Sequence, residues 1–569
     1  MANNTKEFDF IIVGGGPAGC TIASRLASCS EKPRVLLLEA GKHNDSEDLM
    51  VDGQRWATLQ QPGMNWGYTT VSQEYCNGRQ LDYSRGRGLG GSTAINFGFW
   101  TVGCRGDYDR WADLVDDPRF DWVHMQARFK ALESFQTEDA EASYGDYVAP
   151  RRDDHGQHGP LKVGYAKLWE RDIVPMLDIF RDAGFPITRD LNSGNPLGIG
   201  PVINSCYQGR RTTATTLLQN SSNNLTTITE CSVERLVLEG KRVIGVEAAG
   251  ARYFASKEVI LCAGSLDTPK LLMLSGIGPA SQLAKHGIPI ICDLSAIGQN
   301  LKDHCHVPLA FRRSKESNDR HSFYGEPTAS QEALETWRID GTGSWSIFGC
   351  QCVGGWLKSP SVVDSFEFKQ LPRAEQEFLN GETVPHYELV SHFPFHMLIP
   401  GVSEDFSYVC LVAFLMNPQS RGEVTLQSAD PTVPLLFNPR FLSHPYDRRV
   451  AIESYRDLLK LSAHPSFSKD TIGDLIRPQG DSDEAILEFW RQFVSSTWHM
   501  TGTVKMGRPD DPDAAVDRSF RVRNLEGLRV ADMSVVPVLP NSHTQVTAYL
   551  VGATCADVLI EEYDLSYQV

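Results

Sequence analysis

Apolar positions open the chain in short, unbroken runs. Phe8 to Val13 is apolar and β-branched, and Val35 to Leu38 is a second such run, as expected of parallel strands buried on both faces. Between them, Ala18 to Ser28 takes helical spacing, with Ile22, Ala23 and Leu26 on one side. Farther on, Leu225 to Glu247 alternates apolar and polar residues through Val233, Leu236, Leu238, Val243 and Val246, which predicts a small antiparallel meander. Val259 to Ala263, Tyr408 to Leu415 and Val424 to Leu426 read as further strands. Val546, Tyr549, Leu550 and Ala553 read as one face of a helix. Residues 311–345 and 360–385 are polar and turn-rich, and are expected to form surface loops or a lid in a second domain.

The link between the first strand and the helix turns this pattern into a specific unit. Gly14-Gly15-Gly16-Pro17-Ala18-Gly19 follows Val13 without a spacer, and Glu39 closes the second strand twenty residues past Gly19. In such a unit Gly14 permits the tight turn, Gly16 lets a pyrophosphate approach the backbone, and Gly19 lets helix and strand pack closely. The helix N-terminus offers unpaired N–H groups to phosphate, and the acid bonds ribose hydroxyls. The unit binds a dinucleotide, and by itself fits NAD as well as FAD.

A second glycine-rich stretch, Arg85 to Gly106, argues for backbone lying against a ligand. Gly90-Gly91-Ser92-Thr93 supplies N–H and hydroxyl donors, and a helix is expected from Thr93. The run Gly86 to Asn96 resembles the first signature of the glucose–methanol–choline (GMC) oxidoreductase family. Arg105 to Asp109, Gly264 to Gly278, Gly298 to His304 and Asn417 to Val424 resemble its later motifs, so the resemblance spans Phe8 to about Ile560. It implies an α/β fold: a Rossmann-like FAD-binding domain with a parallel sheet, and a substrate-binding domain of antiparallel sheet and helices. The expected division is 1–165, 200–310 and 495–569 for the first, 166–199 and 311–494 for the second. FAD contacts are implied for Gly14, Gly16, Pro17, Ala18, Gly19, Glu39, Ala40, Trp66, Arg87, Gly91, Ser92, Asn96, Val233, Ala263, Trp498, Ala531, Asp532, Thr544, Gln545 and Val546. Some members tether FAD through a histidine just before the asparagine of the first signature. Ile95 holds that place here, so the FAD is expected to be non-covalent.

The resemblance also implies alcohol oxidation, with His499 and His543 where the family keeps its catalytic pair. Alcohol oxidation removes a hydroxyl proton and a hydride from one carbon, and imidazole is suited to the proton because it titrates near neutrality. His499 is expected to be the base, His543 to hold the substrate oxygen, and flavin N5 to accept the hydride. Asn541-Ser542 is expected to cap the helix from Thr544, whose N-terminus would then face the negative charge of the reduced flavin. The context Pro540 to Gln545 looks like the aryl-alcohol and furfuryl-alcohol oxidase branch. Phe97, Phe99, Trp100, Phe393 and Phe395 are candidates for an apolar substrate pocket. The alternatives are a flavin-containing lyase of the hydroxynitrile-lyase type, or a dehydrogenase with an acceptor other than oxygen.

Composition narrows partners more than function. At 569 residues more than one domain is expected, and 41% hydrophobic with 22% charged residues is ordinary for a globular chain. The net charge of −17 opposes nucleic acid and anionic membranes as partners. The first residues lack a basic region followed by an apolar run, and no apolar stretch approaches a membrane span, so a cytoplasmic protein is expected. The thirteen cysteines are scattered, several in apolar runs, and read as reduced core residues. Cys350-Gln351-Cys352 and Asp303 to His306 lack a second ligand pair, so no metal is expected. The implied partners are a small-molecule alcohol and oxygen or another acceptor.

Overall fold

The computed structural model describes residues 6–44, 46–219, 222–326, 328–393 and 405–567. The opening apolar runs are strands β1 (Lys6–Val13) and β2 (Val35–Leu38), joined by helix α1 (Pro17–Ala27). Phe10, Ile11, Ile12 and all of β2 are buried, because helices and other strands cover both faces. Strands β3 (Leu225–Ile228), β4 (Val233–Glu239), β5 (Arg242–Ala248) and β6 (Ala251–Leu261) complete the sheet path in the order β3-β2-β1-β6-β5-β4. The first half of β6 pairs with β5 antiparallel, and its second half pairs with Leu528–Val530 in parallel. One long strand thus belongs to both a meander and the parallel sheet.

Leu225–Ile228 is not part of the meander; it pairs in parallel with β2 at the sheet edge. Residues 311–345 and 360–385 are not plain loops: they hold helices Arg320–Tyr324, Ala329–Asp340, Pro360–Asp364 and Arg373–Leu379. Phe323, Ala333, Trp337 and Trp345 form a small buried cluster, and that local core outweighs the polar composition around it.

The second sheet is antiparallel: β7 (Cys305–Arg313), β8 (Val353–Leu357), β9 (Tyr387–Ser391), β10 (Ser407–Leu415) and β11 (Thr471–Ile476), in the order β8-β9-β10-β7-β11. Ser495–Ser496 also pairs with β7. The expected boundary at 310 falls inside β7, and so within this sheet. The final helix is α2 (Gln545–Glu562), buried along most of its length. All thirteen cysteines are buried and unpaired. Among the described residues no helix is long and apolar enough to cross a membrane, and no cluster of His, Cys, Asp and Glu could hold a metal.

A buried ionic cluster anchors the segment that will border the site. His155 lies 3.0 Å from Glu133 and 3.3 Å from Asp190, and Glu133 also accepts from the Trp100 indole at 2.9 Å. At the next residue, the Thr101 hydroxyl accepts the His543 N–H at 3.0 Å. Burial alone would lower the His155 pKa, but its bonds to Asp190 and Glu133 hold it up at about 9. A folded value above the ordinary 6.5 stabilises the protein fully below 6.5, and that stabilisation is lost as pH rises through 9. The shift is worth roughly 3 kcal/mol. Urea unfolding between pH 6 and pH 10 should show this loss in the wild type; a His155→Gln variant with the same slope would contradict it.

Candidate active site

Two imidazoles meet at one end of a cavity of about 1030 Å³. The His499 and His543 ring centroids are 4.9 Å apart, with the planes at 78°. Elements far apart in sequence bring them there. His499 follows Trp498, which takes a left-handed backbone (φ 60°), an uncommon conformation for a bulky residue. The Trp498 N–H donates to the Ser496 hydroxyl at 2.9 Å, its carbonyl accepts from Arg85, and its indole donates to Asp82 at 2.8 Å. The His499 N–H donates to Asp303 at 2.7 Å, and the same carboxylate accepts from the Ser496 hydroxyl at 2.6 Å. His543 lies just ahead of α2.

The second sheet supplies the wall beside His543. In register across β8, β9, β10 and β7 stand Trp356, Glu388, Phe414 and His306. His543 Nε2 is 3.0 Å from the fully buried Glu388 carboxylate, and its ring packs against Phe99, Phe414 and Trp356 at 4.3, 5.7 and 6.4 Å. Burial raises the Glu388 pKa, and His543 offsets part of that rise. Burial first, then the charges of His543, His304, Arg85 and His306, push His499 well below the ordinary imidazole value. His499 is therefore a neutral ring. Its Nδ1 lies 3.0 Å from Nδ1 of His304, which burial and His543 lower to about 3. One of these two nitrogens donates and the other accepts.

Most expected cofactor residues line this one cavity: Gly14, Gly16, Pro17, Ala18, Glu39, Ala40, Trp66, Arg87, Gly91, Ser92, Asn96, Val233, Ala263, Trp498, Asp532, Thr544 and Gln545. Gly19, Ala531 and Val546 do not. A Cβ on Gly19 would stand 2.0 Å from the Gly14 carbonyl oxygen, so its part is close packing of α1 on the turn. Ala531 and Val546 are buried, and the Ala531 N–H donates to Leu261. Glu39 does more than its spacing foretold: it accepts the N–H groups of Gly15, Gly41 and Gly88 at 2.8–2.9 Å. A carboxylate offers about four lone-pair sites, so one remains for a ribose hydroxyl. Asp532 is likewise pinned, by the Gly264 N–H, the Thr268 hydroxyl and the Ser534 N–H.

The cavity's chemistry fits FAD. The N-terminus of α1 has no side-chain cap, and nothing lies within 4 Å of a Cβ built on Gly16, which leaves room for pyrophosphate. Arg87 carries a buried Nε without a hydrogen-bond partner and lies over Trp66 at 4.7 Å. The volume is at the upper end of ordinary ligand pockets, about 300–1,000 Å³. The expected cap of α2 is corrected: Thr544 is its N-cap, without a side-chain bond, while Asn541 bonds Asp107 and Asn417 instead. The N-terminus of α2 is thereby left uncapped, with Thr544 and Gln545 on the cavity wall. The helix expected from Thr93 is only a short 3-10 turn, Gly91–Ala94.

Family models for GMC oxidoreductases match residues 8–306 and 418–552. The chain belongs to the GMC oxidoreductase family. It is an FAD-dependent oxidoreductase that acts on alcohols. A patulin synthase of Aspergillus clavatus is 30% identical, over 97% of this chain and 91% of its own. Among solved structures, a formate oxidase of Aspergillus oryzae superposes with a TM-score of 0.90 at 26% identity, over 99% of this chain and 100% of its own. A fungal aryl-alcohol oxidase does so with a TM-score of 0.83 at 26% identity, over 98% and 99%.

Of the expected apolar pocket residues, Phe97, Phe99 and Phe393 line the cavity of this GMC oxidoreductase. Trp100 does not; it points into the core and bonds Glu133. Phe395 lies outside the described residues. Sequence reading missed Glu388, Phe414 and Arg85. The signal for Glu388 was a single acid inside the apolar run Tyr387–Ser391, where a charge stays buried only with a partner.

Proposed function

We propose that this enzyme oxidises a primary alcohol with an aromatic or otherwise apolar body to its aldehyde. The observation that carries this reading is the imidazole pair 4.9 Å apart within a ring of aromatic side chains. Phe97 packs on Phe393 at 4.7 Å and near Trp498 at 6.1 Å, and Phe99 and Phe414 flank His543. An aromatic alcohol would stack there while its hydroxyl reaches the two imidazoles. The aryl-alcohol oxidase likeness supports the same substrate class, and the patulin synthase likeness supports a role in secondary metabolism.

His499 is the base in this proposal. A proton on its Nδ1, donated to His304, leaves Nε2 with a free lone pair for the alcohol proton. His543 holds the substrate oxygen from the other side. The buried Glu388 carboxylate stabilises positive charge on that ring as the alkoxide develops. FAD, when bound, supplies the acceptor for the hydride that leaves the same carbon. The uncapped N-terminus of α2 offers N–H groups and a positive dipole end to negative charge in the cavity. The aromatic walls exclude water, which strengthens each of these interactions.

The test is an alcohol panel on purified protein: benzylic, furfuryl, aliphatic and sugar alcohols, each assayed for aldehyde with oxygen and with an artificial acceptor. Highest kcat/KM on a benzylic or furfuryl alcohol supports the reading; preference for a sugar alcohol overturns it. Which acceptor sustains turnover separates oxidase from dehydrogenase. The proposal also holds FAD non-covalent, because Ile95 offers no nucleophile where some relatives carry the tethering histidine. Acid or heat denaturation should release yellow FAD into the supernatant; colour that stays with the precipitate would refute a dissociable cofactor.

A further inference from the structure

A second cavity, of about 230 Å³, is lined by residues near the histidine-bearing segments, among them Lys302, Lys505 and Pro537. Four cations line it, Arg110, Lys302, Arg421 and Lys505, against two carboxylates, Glu375 and Asp511. Both carboxylates are already matched: Arg110 with Glu375, and Lys505 with Asp511 at 2.9 Å. That leaves Lys302 and Arg421. The Lys302 ammonium donates to the Pro537 carbonyl at 2.6 Å. Arg421 donates through one terminal nitrogen to the carbonyls of Pro418 and Ser420 at 2.6 and 3.0 Å. Among the described residues neither has a carboxylate within 4.0 Å, and the rest of the Arg421 fork has no hydrogen bond. Asp447 and Glu375 act on Arg421, and Glu375 on Lys302, only from beyond ion-pair distance, so two cations side by side at a cavity wall lack a direct counter-ion, which is costly for buried charge.

We propose that this cavity is a binding site for a small oxyanion, the chemistry shared by inorganic phosphate and short carboxylates. Arg421 supplies the planar fork and Lys302 the point charge, the pairing that suits a tetrahedral or planar oxyanion. Carbonyl oxygens satisfy hydrogen-bonding capacity but leave the positive charge unbalanced; an anion balances it. Burial, with Arg421 and Arg110 next and Glu375 offsetting only part, pushes the Lys302 ammonium well below its ordinary value, as expected of a cation without a direct counter-ion. The placement ties the ligand to the active-site frame. Lys302 exchanges backbone hydrogen bonds with Thr501, two residues past His499, and precedes Asp303 and His304. Pro537 leads into Asn541, Ser542 and His543. A bound oxyanion would cross-link the two segments that carry the imidazoles. This site does not depend on which alcohol the enzyme oxidises.

The test uses the FAD-loaded enzyme, so that the pyrophosphate site is filled, and titrates phosphate and, separately, malonate at constant ionic strength by calorimetry. One saturable site per chain is expected for at least one of the two, and the stronger binder identifies the source class. Arg421→Gln should weaken that affinity at least tenfold, and Arg421→Lys should weaken it less. If Arg421→Gln fails to fold, Lys302→Met is titrated in its place, with the same tenfold loss expected. Absence of saturable binding to the wild type, or unchanged affinity in the folded variant, overturns the proposal.

Discussion

Replacing His499 with alanine should lower kcat/KM for the best alcohol by about 10²- to 10⁴-fold, the range supplied by a positioned general base. FAD content should stay at the wild-type level. Among the described residues the side chain's one hydrogen bond is to His304. Losing that bond strands Nδ1 of the buried His304, a cost of about 1–3 kcal/mol, which a folded protein of this size tolerates. Steady-state kinetics with flavin absorbance measured on the same sample separates the two effects. The double variant with His543→Ala should fall well short of the product of the single losses, because the pair handles one proton. A His499→Ala enzyme within threefold of wild type would remove His499 from the chemistry.

Replacing Glu388 with glutamine should lower kcat about tenfold to a hundredfold, the usual cost of removing a carboxylate that orients a functional histidine. Gln keeps the shape and one acceptor but not the charge. Burial raises the Glu388 pKa above the ordinary carboxylate value of 4.5. Wild-type activity should therefore fall as pH drops through a value higher than 4.5, as this carboxylate protonates. The burial of His499 acts oppositely: its limb lies below the ordinary 6.5. Glu388→Gln should erase the Glu388 limb while leaving KM and FAD content near wild type. A variant with the wild-type pH profile would show that the carboxylate only fills space.

The parts of this protein legible in its sequence are those encoded locally. The strand-turn-helix-strand unit is written in neighbouring residues: a Cβ on Gly19 would meet the Gly14 carbonyl oxygen at 2.0 Å. The two histidines were singled out by the resemblance of their surroundings to the family's motifs, and the fold brings their ring centroids to 4.9 Å. What was not legible depends on distant chain. Glu388 reaches His543 across 155 positions, through the register of a sheet that no local pattern specifies. β3 is short and mostly β-branched, like a hairpin strand, yet it pairs in parallel with β2 at the sheet edge. Asn541 has the composition of a helix cap, but Asp107 and Asn417 claim its side chain and leave α2 uncapped. The helices within 311–345 were hidden because a few buried aromatics, Phe323, Trp337 and Trp345, decide the structure of an otherwise polar stretch.

The most direct measurement mixes the FAD-loaded enzyme with a benzylic alcohol under anaerobic conditions and follows the visible flavin spectrum. Bleaching of the oxidised band, with one aldehyde formed per flavin and the rate cut at least a hundredfold in His499→Ala, is expected. A spectrum that stays oxidised across the alcohol panel, or a cyanohydrin cleaved without bleaching, would contradict alcohol oxidation by this imidazole pair.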